Sequence, residues 1–436
     1  MNSLKTRLAA LSFLEFAVWG SYLISMGQYL FNVGLVTHIG WFYTVQGIVS
    51  LFMPGIIGAV ADRYVPAQRM LAICHFIAAL AMATCGLYCA HAGSQVQFST
   101  LFTFYTISVA FFMPTIGLSN SVSFNALTRA NLDTNVHFPP IRVWGTVGFI
   151  AASWIVNFIH IDGVSIQETY HQFYQCAIFG IVLSLYSLTM PHCEVNRSKR
   201  FSLSEALALP AFKLFRRKEM AIFLIFSMLL GVSLQITNGF GSTFIKFFGE
   251  TGLPEFKNFF SNNPTLLISL SQCAEALCIL LIPFCMRRFG IKGVMFIAMV
   301  AWVLRFGLFG IGDTNFPGVL ALIGSCIVYG VAFDFFNVSG GMYIDKQVAP
   351  EMRSQAQGLF MIMTNGIGAS VGTFLASKYV INKFVNYFPD DHVFTQADRL
   401  AQIDGWHTSW LIFAAYAAIV AVLFYFCFNA KTQNTK

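Results

Sequence analysis

The sequence carries very little charge for its length. Only 10% of its 436 residues are Asp, Glu, Lys or Arg, against roughly 25% in ordinary soluble domains. Hydrophobic residues make up 56%, and phenylalanine alone accounts for 47 positions. So few charges cannot cover a water-exposed surface, so most of this surface must face lipid. The composition excludes a soluble globular protein and indicates an integral membrane protein.

Ten cysteines are present, but they do not suggest disulfides or a metal site. None has the spacing to histidine that is typical of zinc ligands, so neither a metal nor a cofactor is expected. Most of them fall inside apolar runs, where cysteine behaves as a small hydrophobic residue: Cys74, Cys85, Cys89, Cys273, Cys278, Cys285, Cys326 and Cys427. No helix carries a Ser/His or paired-Asp arrangement and no soluble domain is evident, which argues against an intramembrane enzyme or a receptor.

Long apolar runs are the dominant pattern, and a membrane-spanning helix needs about 20 such residues. One set lies near 8–31, 41–61, 69–90, 98–127, 141–159 and 170–190, and a second near 219–245, 265–286, 293–312, 317–344, 354–377 and 407–428. No convincing cleavage site follows the first run, so it is predicted to be a helix. We expect an all-α polytopic membrane protein with a six-helix bundle over 1–191, a linker over 192–218 and a second bundle over 219–436.

Basic residues concentrate on alternate connections between these runs. The linker is rich in them: Arg197, Lys199, Arg200, Lys213, Arg216, Arg217 and Lys218. By the positive-inside rule, both termini and the linker are predicted to be cytoplasmic. The net charge of +7 then reflects topology, and nucleic acid is not an expected partner. Residues 202–215 have the composition of a short amphipathic helix on the membrane surface.

Basic turns also occur at matching places in the two halves. Asp62 and Arg63 follow the second run, and Arg287 and Arg288 follow the eighth, as expected of a duplicated transporter. The first turn resembles the loop between helices 2 and 3 of the major facilitator superfamily. Asp62 and Arg63 are therefore predicted to lock the cytoplasmic ends of neighbouring helices; the alternative is ordinary flanking charge.

Three carboxylates lie within apolar runs, namely Glu275, Asp334 and Glu15. A charge at the bilayer centre costs roughly 2.5–3.5 kcal/mol on insertion scales, so such residues are functional candidates. We predict that Asp334 and Glu275 carry protons, with Glu15 as a third titratable group. The alternative for each is a helix–helix hydrogen bond made by a protonated acid, and Glu15 has a further alternative, that it reaches the cytoplasmic interface.

Polar residues also recur on single helix faces. Gln235 and Asn238 are three residues apart, as are Gln272 and Glu275. Arg142, Thr146 and Phe149 follow the i, i+4, i+7 pattern. Two alternatives stay open here, because the amides are also typical of interhelical hydrogen bonds and hydropathy alone makes Arg142 a flanking arginine.

Together these groups suit a neutral ligand that has a flat ring and several hydroxyls. Phe149, Tyr329 and Phe333 offer ring faces for stacking, whereas amides and carboxylates meet base edges or ribose hydroxyls. A nucleoside fits this chemistry, and so does a sugar.

Longer sequence motifs favour a nucleoside over a sugar, through the family that they resemble. They include Phe138-Pro-Pro-Ile-Arg-Val-Trp-Gly-Thr-Val-Gly-Phe149, Leu234-Gln-Ile-Thr-Asn238, Val328-Tyr-Gly-Val-Ala-Phe-Asp-Phe-Phe-Asn337 and Met363-Thr-Asn-Gly366. On these stretches, which run almost from end to end, the chain resembles the nucleoside:proton symporter family of the major facilitator superfamily.

The resemblance implies two six-helix bundles around a central cavity, alternating access and uptake of purine or pyrimidine nucleosides with protons across a bacterial cytoplasmic membrane, by a monomer in the lipid bilayer. An uncoupled facilitator is the alternative within transport. The nucleoside-contacting residues carried over by position are Arg142, Thr146, Phe149, Gln235, Asn238, Gln272, Glu275, Tyr329, Phe333 and Asp334. Glu15 departs from the family pattern, in which a glutamine is expected.

Overall fold

The computed structural model describes residues 2–195, 204, 208–278, 281–349, 352–386, 388 and 392–428. Within these residues the regular structure is helical apart from one short antiparallel hairpin, β1 (His160–Ile161) and β2 (Val164–Ser165), in which His160 pairs with Ser165. The expected all-α class is confirmed. Nine of the described helical stretches are long and apolar enough to cross a membrane.

The first six predicted spans correspond to seven helices. Their bounds are α1 Asn2–Gly20, α2 Met26–Asn32, α3 Ile39–Arg63, α4 Ala67–Ala92, α5 Phe98–Arg129, α6 Thr134–Phe158 and α7 His171–Ser187, with 3₁₀ turns at Val36–His38 and Ile166–Glu168. The first span is thus divided in two by a turn over 21–25. There the Ser21 hydroxyl and the Ser21 backbone N–H both donate to the Ala17 carbonyl oxygen, at 2.8 and 3.1 Å.

The second six spans are more interrupted. Their helices are α8 Lys218–Leu234, α9 Ile236–Gly249, α10 Phe259–Asn262, α11 Pro264–Cys278, α12 Ile282–Ile311, α13 Gly318–Gln347, α14 Arg353–Met361, α15 Ala369–Leu375, α16 Asn382–Phe384 and α17 Gln396–Cys427. Two π-helical segments, Ile362–Gly368 and Ala376–Ile381, join the short helices α14, α15 and α16 into one span, and 3₁₀ turns occur at Leu209–Arg216 and Pro254–Phe256.

The break predicted between the eighth and ninth runs is present, because Gly290, with a φ of 65°, is non-helical and divides α12. Two other segments differ from the predictions. Helix α17 begins at Gln396 instead of near 407, because Thr395 and Asp398 form a capping box ahead of its apolar part. Of the amphipathic helix predicted over 202–215, residues 202, 203 and 205–207 lie outside the described residues, and the part from Leu209 onward is the 3₁₀ turn Leu209–Arg216.

The chain divides into two compact units. Unit 1 is Met1–Leu207 with Asn238–Thr243 and Asn263–Ser269, and unit 2 is Ala208–Thr237, Phe244–Asn262 and Leu270–Lys436. In unit 1, Asn157 Nδ2 donates to Asn263 Oδ1 at 2.6 Å. The division of the chain at a linker over 192–218 stays a prediction.

Glycines set the closest helix contacts in each unit. In unit 1, a Cβ at Gly148 of α6 would collide with the Phe13 carbonyl of α1, and one at Gly20 of α1 would collide with the Phe149 carbonyl of α6. In unit 2, a Cβ at Gly330 of α13 would lie 2.6 Å from the Ala274 carbonyl oxygen of α11. The helices that carry the predicted site residues therefore approach backbone to backbone in α1–α6 and in α11–α13.

Candidate functional site

The predicted site residues of unit 1 lie mainly on α6. The motif Pro139-Pro140-Ile141-Arg142 is inside this helix, which begins at Thr134, so Arg142 is not a flanking residue before the helix. The Arg142 guanidinium carbon lies 3.9 Å from the centre of the Phe16 ring on α1, a distance typical of a cation–π contact. Thr146 is half-buried one turn later, and Phe149 is buried and meets Trp19 edge to face at 6.4 Å. The helix thus brings the predicted triplet along one side of α1.

Asn238 also belongs to unit 1. It is buried in the first turn of α9, directly after the break at Gln235 that separates α8 from α9. Discontinuous helices of this kind place amide groups at substrate depth in transporters. Gln235 itself is half-buried and belongs to unit 2.

In unit 2, α11 and α13 bring the other predicted residues together. A Cβ on Gly330 would lie 2.8 Å from the Glu275 backbone nitrogen, so Tyr329 and Phe333 lie on a helix in direct contact with the helix of Glu275. The rings of Tyr329 and Phe333 are nearly parallel, 15° apart, with centres separated by 5.6 Å. Asp334 is 5% exposed and Gln272 is 9% exposed, whereas Glu275 and Phe333 are half-buried. Aromatic faces, an amide and two carboxylates are therefore collected in one region of this unit.

A buried arginine that the sequence interpretation left aside lies behind this group. Arg305 of α12 is fully buried, and its guanidinium carbon lies 4.3 Å from the centre of the Tyr329 ring. Its nitrogens donate to the Ser325 carbonyl oxygen at 2.9 Å and to the Thr237 and Ser271 hydroxyls at 3.3 Å each. Among the described residues it pairs with no carboxylate. Arg305 therefore fixes Tyr329 from behind with a permanent charge.

Glu15 has a different environment from the one expected. Its side chain is fully buried, so it does not reach an interface. Its Oε2 lies 2.9 Å from Nε2 of His75 on α4, and its Oε1 accepts from the Thr115 hydroxyl on α5 at 2.6 Å. The sequence interpretation missed His75, although the signal was available: it is an ionisable residue within the apolar run 69–90, and the rule that singled out the carboxylates applies to it equally.

The two residues of the predicted cytoplasmic lock lie at the end of α3. Asp62 is exposed, and the Arg63 guanidinium carbon lies 5.1 Å from the centre of the Tyr64 ring. The gating role of Asp62 and Arg63 stays a prediction.

Long apolar helices with buried ionisable groups define a multi-pass membrane transporter. Comparison with known proteins makes this specific. The family model described as nucleoside H⁺ symporter matches residues 1–433. The xanthosine permease of Escherichia coli K12 is 43% identical, with 100% of this chain and 98% of that protein covered. The nucleoside permease NupG of the same organism is 41% identical, with 98% and 97% covered.

Solved structures agree. The crystal structure of the nucleoside transporter NupG is 40% identical and superposes with a TM-score of 0.84, over 99% of this chain and 100% of that one. A D-xylose–proton symporter gives a TM-score of 0.71 at 13% identity over 99% and 100% of the two chains, a likeness of fold alone. The chain belongs to the nucleoside H⁺ symporter family and has the major facilitator fold of twelve helices. It is a nucleoside transporter coupled to protons, not an enzyme, and a multi-pass protein of the inner membrane.

Proposed function

We propose that a purine or pyrimidine nucleoside is bound by two groups of residues, one in each unit. Unit 1 contributes Arg142, Thr146, Phe149 and Asn238, and unit 2 contributes Gln235, Gln272, Glu275, Tyr329, Phe333 and Asp334. The observation that carries the proposal is the group in unit 2, where parallel aromatic rings lie on a helix packed against the one that holds Glu275 and Gln272. A base stacks on a ring face such as that of the half-buried Phe333, and carboxylates and amides accept from or donate to ribose hydroxyls and base edges.

The proton is assigned to Asp334 and Glu275. A carboxylate in a low-dielectric interior is costly in its charged form, so it binds a proton unless a cation or ligand group compensates. Asp334 is buried and Glu275 is half-buried, on helices in direct contact. Nucleoside hydroxyls that donate to these oxygens link substrate binding to protonation. Glu15 is the third titratable group, treated separately below.

Coupling gives the transporter its driving force. One charge that moves down 100 mV supplies about 2.3 kcal/mol, which corresponds to roughly fifty-fold accumulation of the nucleoside. Both termini are assigned to the cytoplasm on the distribution of Lys and Arg, with Asp62 and Arg63 at a cytoplasmic gate and a single chain as the working form.

The test is uptake by proteoliposomes under an imposed proton gradient. Asp334→Asn is expected to abolish gradient-driven accumulation and to retain exchange of internal for external nucleoside, because exchange requires no net proton movement. Glu255→Gln is the matched control, since Glu255 is an exposed acid of the same unit, in the 3₁₀ turn Pro254–Phe256. Full gradient-driven accumulation by Asp334→Asn would remove that residue from the proposal. Equal accumulation by the wild type with and without the gradient would make the protein an uncoupled facilitator.

Substrate class is tested by competition. A panel of nucleosides, free bases and sugars is added to the wild type during uptake of labelled uridine. Nucleosides are expected to inhibit, and free bases and sugars much less, because only a nucleoside meets both the ring faces and the carboxylates. Inhibition by sugars without inhibition by nucleosides would overturn the assignment.

A further inference from the structure

The buried acid of unit 1 is one member of a three-residue cluster contributed by three helices. Glu15 of α1, His75 of α4 and Thr115 of α5 are each 0% exposed. Both carboxylate oxygens are engaged, Oε2 with the imidazole at 2.9 Å and Oε1 with the hydroxyl at 2.6 Å. Two ionisable side chains in contact, away from solvent, can hold one, two or no protons between them.

Thr115 can form a hydrogen bond with Glu15 whether Glu15 is charged or protonated. Its hydroxyl has a single hydrogen but two acceptors within reach, Glu15 Oε1 and the Phe112 carbonyl oxygen at 2.5 Å. When Glu15 is charged, the hydroxyl donates to Oε1. When Oε1 carries a proton, Glu15 donates to the hydroxyl oxygen, and the hydroxyl turns to the Phe112 carbonyl. No hydrogen bond of Glu15 is lost in either state, so the cluster accommodates a proton without leaving an unpaired group.

The imidazole of His75 also borders a small cavity. Within the described part of the chain, its buried Nδ1 has no hydrogen-bond partner. A cavity of about 10 Å³ adjoins the ring, lined among others by Ser108, Phe112 and Cys176. This is close to the smallest volume that holds one water molecule. His75 therefore has both a ring nitrogen without a partner among the described residues and a small adjoining cavity, the two features that proton exchange at this pair would use.

We propose that Glu15 and His75 form a second proton-binding site, separate from Asp334 and Glu275. The inference rests on the proposed function, because it assumes that transport is proton-linked. One proton from water binds to the pair and returns to water, and no other bond is made or broken. The ligand of the site is the proton itself.

Other titratable groups lie near this pair on the packed elements. They are Cys74 on α4, Tyr22 in the turn after α1, Tyr43 on α3, Tyr105 on α5 and Cys176 on α7. Thiols and phenols ordinarily keep their protons near neutral pH, whereas free carboxyl and imidazole groups titrate below and around it. From α6 the charged group is Arg142, whose guanidinium lies over the ring of Phe16 beside Glu15.

Helix α1 connects the Glu15–His75 pair to the residues predicted to bind the nucleoside. Glu15 is followed by Phe16, the ring under Arg142, and Trp19 lies one turn later against both Phe112 and Phe149. Helices α1 and α6 touch at backbone level at Gly148 and Gly20, so a displacement of α1 is transmitted directly to α6. Protonation of the pair is therefore linked to nucleoside binding, and by reciprocity nucleoside binding is linked to protonation.

The experiment measures the nucleoside Kd against pH for the purified full chain, with proton uptake on nucleoside addition followed by an indicator dye in weak buffer. For each proton linked to binding, Kd rises by up to about tenfold per pH unit. Glu15→Gln and His75→Asn are each expected to make this dependence shallower and to lower proton uptake, and the double variant is expected to do no more than either one. Ser25→Ala is the matched control: Ser25 donates to Gln172 in a buried pair of unit 1 that does not titrate, and the wild-type pH dependence is expected.

Wild-type pH dependence in both Glu15→Gln and His75→Asn, with a shallower one in Asp334→Asn, overturns the second site and leaves symport standing. No proton uptake by the wild type itself overturns symport. If Glu15→Gln and His75→Asn fail to fold, Thr115→Val against Thr115→Ser decides. Valine keeps the shape but removes the hydroxyl, so a displaced pH profile is expected for valine alone, and identical profiles overturn the proposal.

Discussion

The two units bury charge in opposite ways. In unit 1, the buried acid Glu15 faces the imidazole of His75, so a proton shift neutralises both. In unit 2, the buried Arg305 donates to hydroxyls and a carbonyl oxygen and lies beside the Tyr329 ring and the Cys326 thiol, and it pairs with no carboxylate among the described residues. A titratable pair can change its charge during a transport cycle, whereas a guanidinium cannot. The comparison teaches that Glu15 and His75 of unit 1 form a switchable pair, whereas Arg305 of unit 2 is a fixed charge, separate from the proposed proton carriers Asp334 and Glu275 of that unit.

The largest effect is expected where one partner of the switchable pair is removed. His75→Leu leaves Glu15 buried without its imidazole, and breaking a buried pair costs about 3–5 kcal/mol of the free energy of unfolding. The double variant Glu15→Leu/His75→Leu removes both groups and is expected to recover most of that loss. Thermal or chemical unfolding in detergent measures both. A double variant that is less stable than His75→Leu would show that the pair is not the source of the effect.

An intermediate effect is expected at the close helix contacts, which exist in both units. Gly148→Ala in unit 1 and Gly330→Ala in unit 2 each place a methyl group against backbone of the neighbouring helix. Overpacking of this kind costs about 1–3 kcal/mol. Unfolding in detergent is expected to show a loss of this size for both.

Two other helix glycines serve as controls for these substitutions. Nothing lies within 4 Å of a Cβ built on Gly117 of α5 or on Gly307 of α12. Gly117→Ala and Gly307→Ala are expected to be neutral or slightly stabilising, because alanine restricts the unfolded chain. A loss in the controls as large as in Gly148→Ala and Gly330→Ala would contradict the role assigned to close packing.

The smallest effect is expected at the fixed charge. Arg305→Met leaves no charged partner unpaired and removes a cation–π contact worth about 1–2 kcal/mol when desolvated. Because Arg305 holds Tyr329, the nucleoside Kd is expected to rise about tenfold, with little change in its pH dependence. Isothermal titration over several pH values separates the two outcomes.

Lys292→Met is the control for this substitution. Lys292 lies on the same helix, 5.2 Å from the centre of the Tyr425 ring, away from Tyr329. Its Kd is expected to stay at the wild-type value. A change in the slope of Kd against pH for Arg305→Met would mean that the charge of Arg305 takes part in proton coupling.

The sequence predicted the helical class because hydropathy acts on whole helices. It did not predict where helices break or begin early. The turn after Gly20 lies within the apolar run 8–31, and the start of α17 depends on the capping box at Thr395, which lies in a polar stretch. Such local bonds are invisible to a rule that counts apolar residues.

The residues of the candidate site could be proposed from the sequence, but the side chains that they contact could not. Arg142 was ambiguous because hydropathy cannot tell a flanking arginine from one inside a helix that begins earlier. The partners of Glu15 come from 60 and 100 residues further along the chain, and no local spacing encodes such a meeting. Arg305 is likewise defined by its contacts with three other helices, which only the folded chain brings together.

The environments of the cysteines have a practical consequence for spectroscopy. Of the ten, Cys427 at the end of α17 is exposed, Cys273 and Cys285 are half-buried, and the other seven are buried. A thiol-reactive dye that enters the lipid phase therefore has one favoured attachment point on the unmodified protein, because Cys427 lies in the apolar run 407–428. A fluorophore there, together with a second label introduced elsewhere, would follow the transport cycle in single molecules without first removing the native thiols.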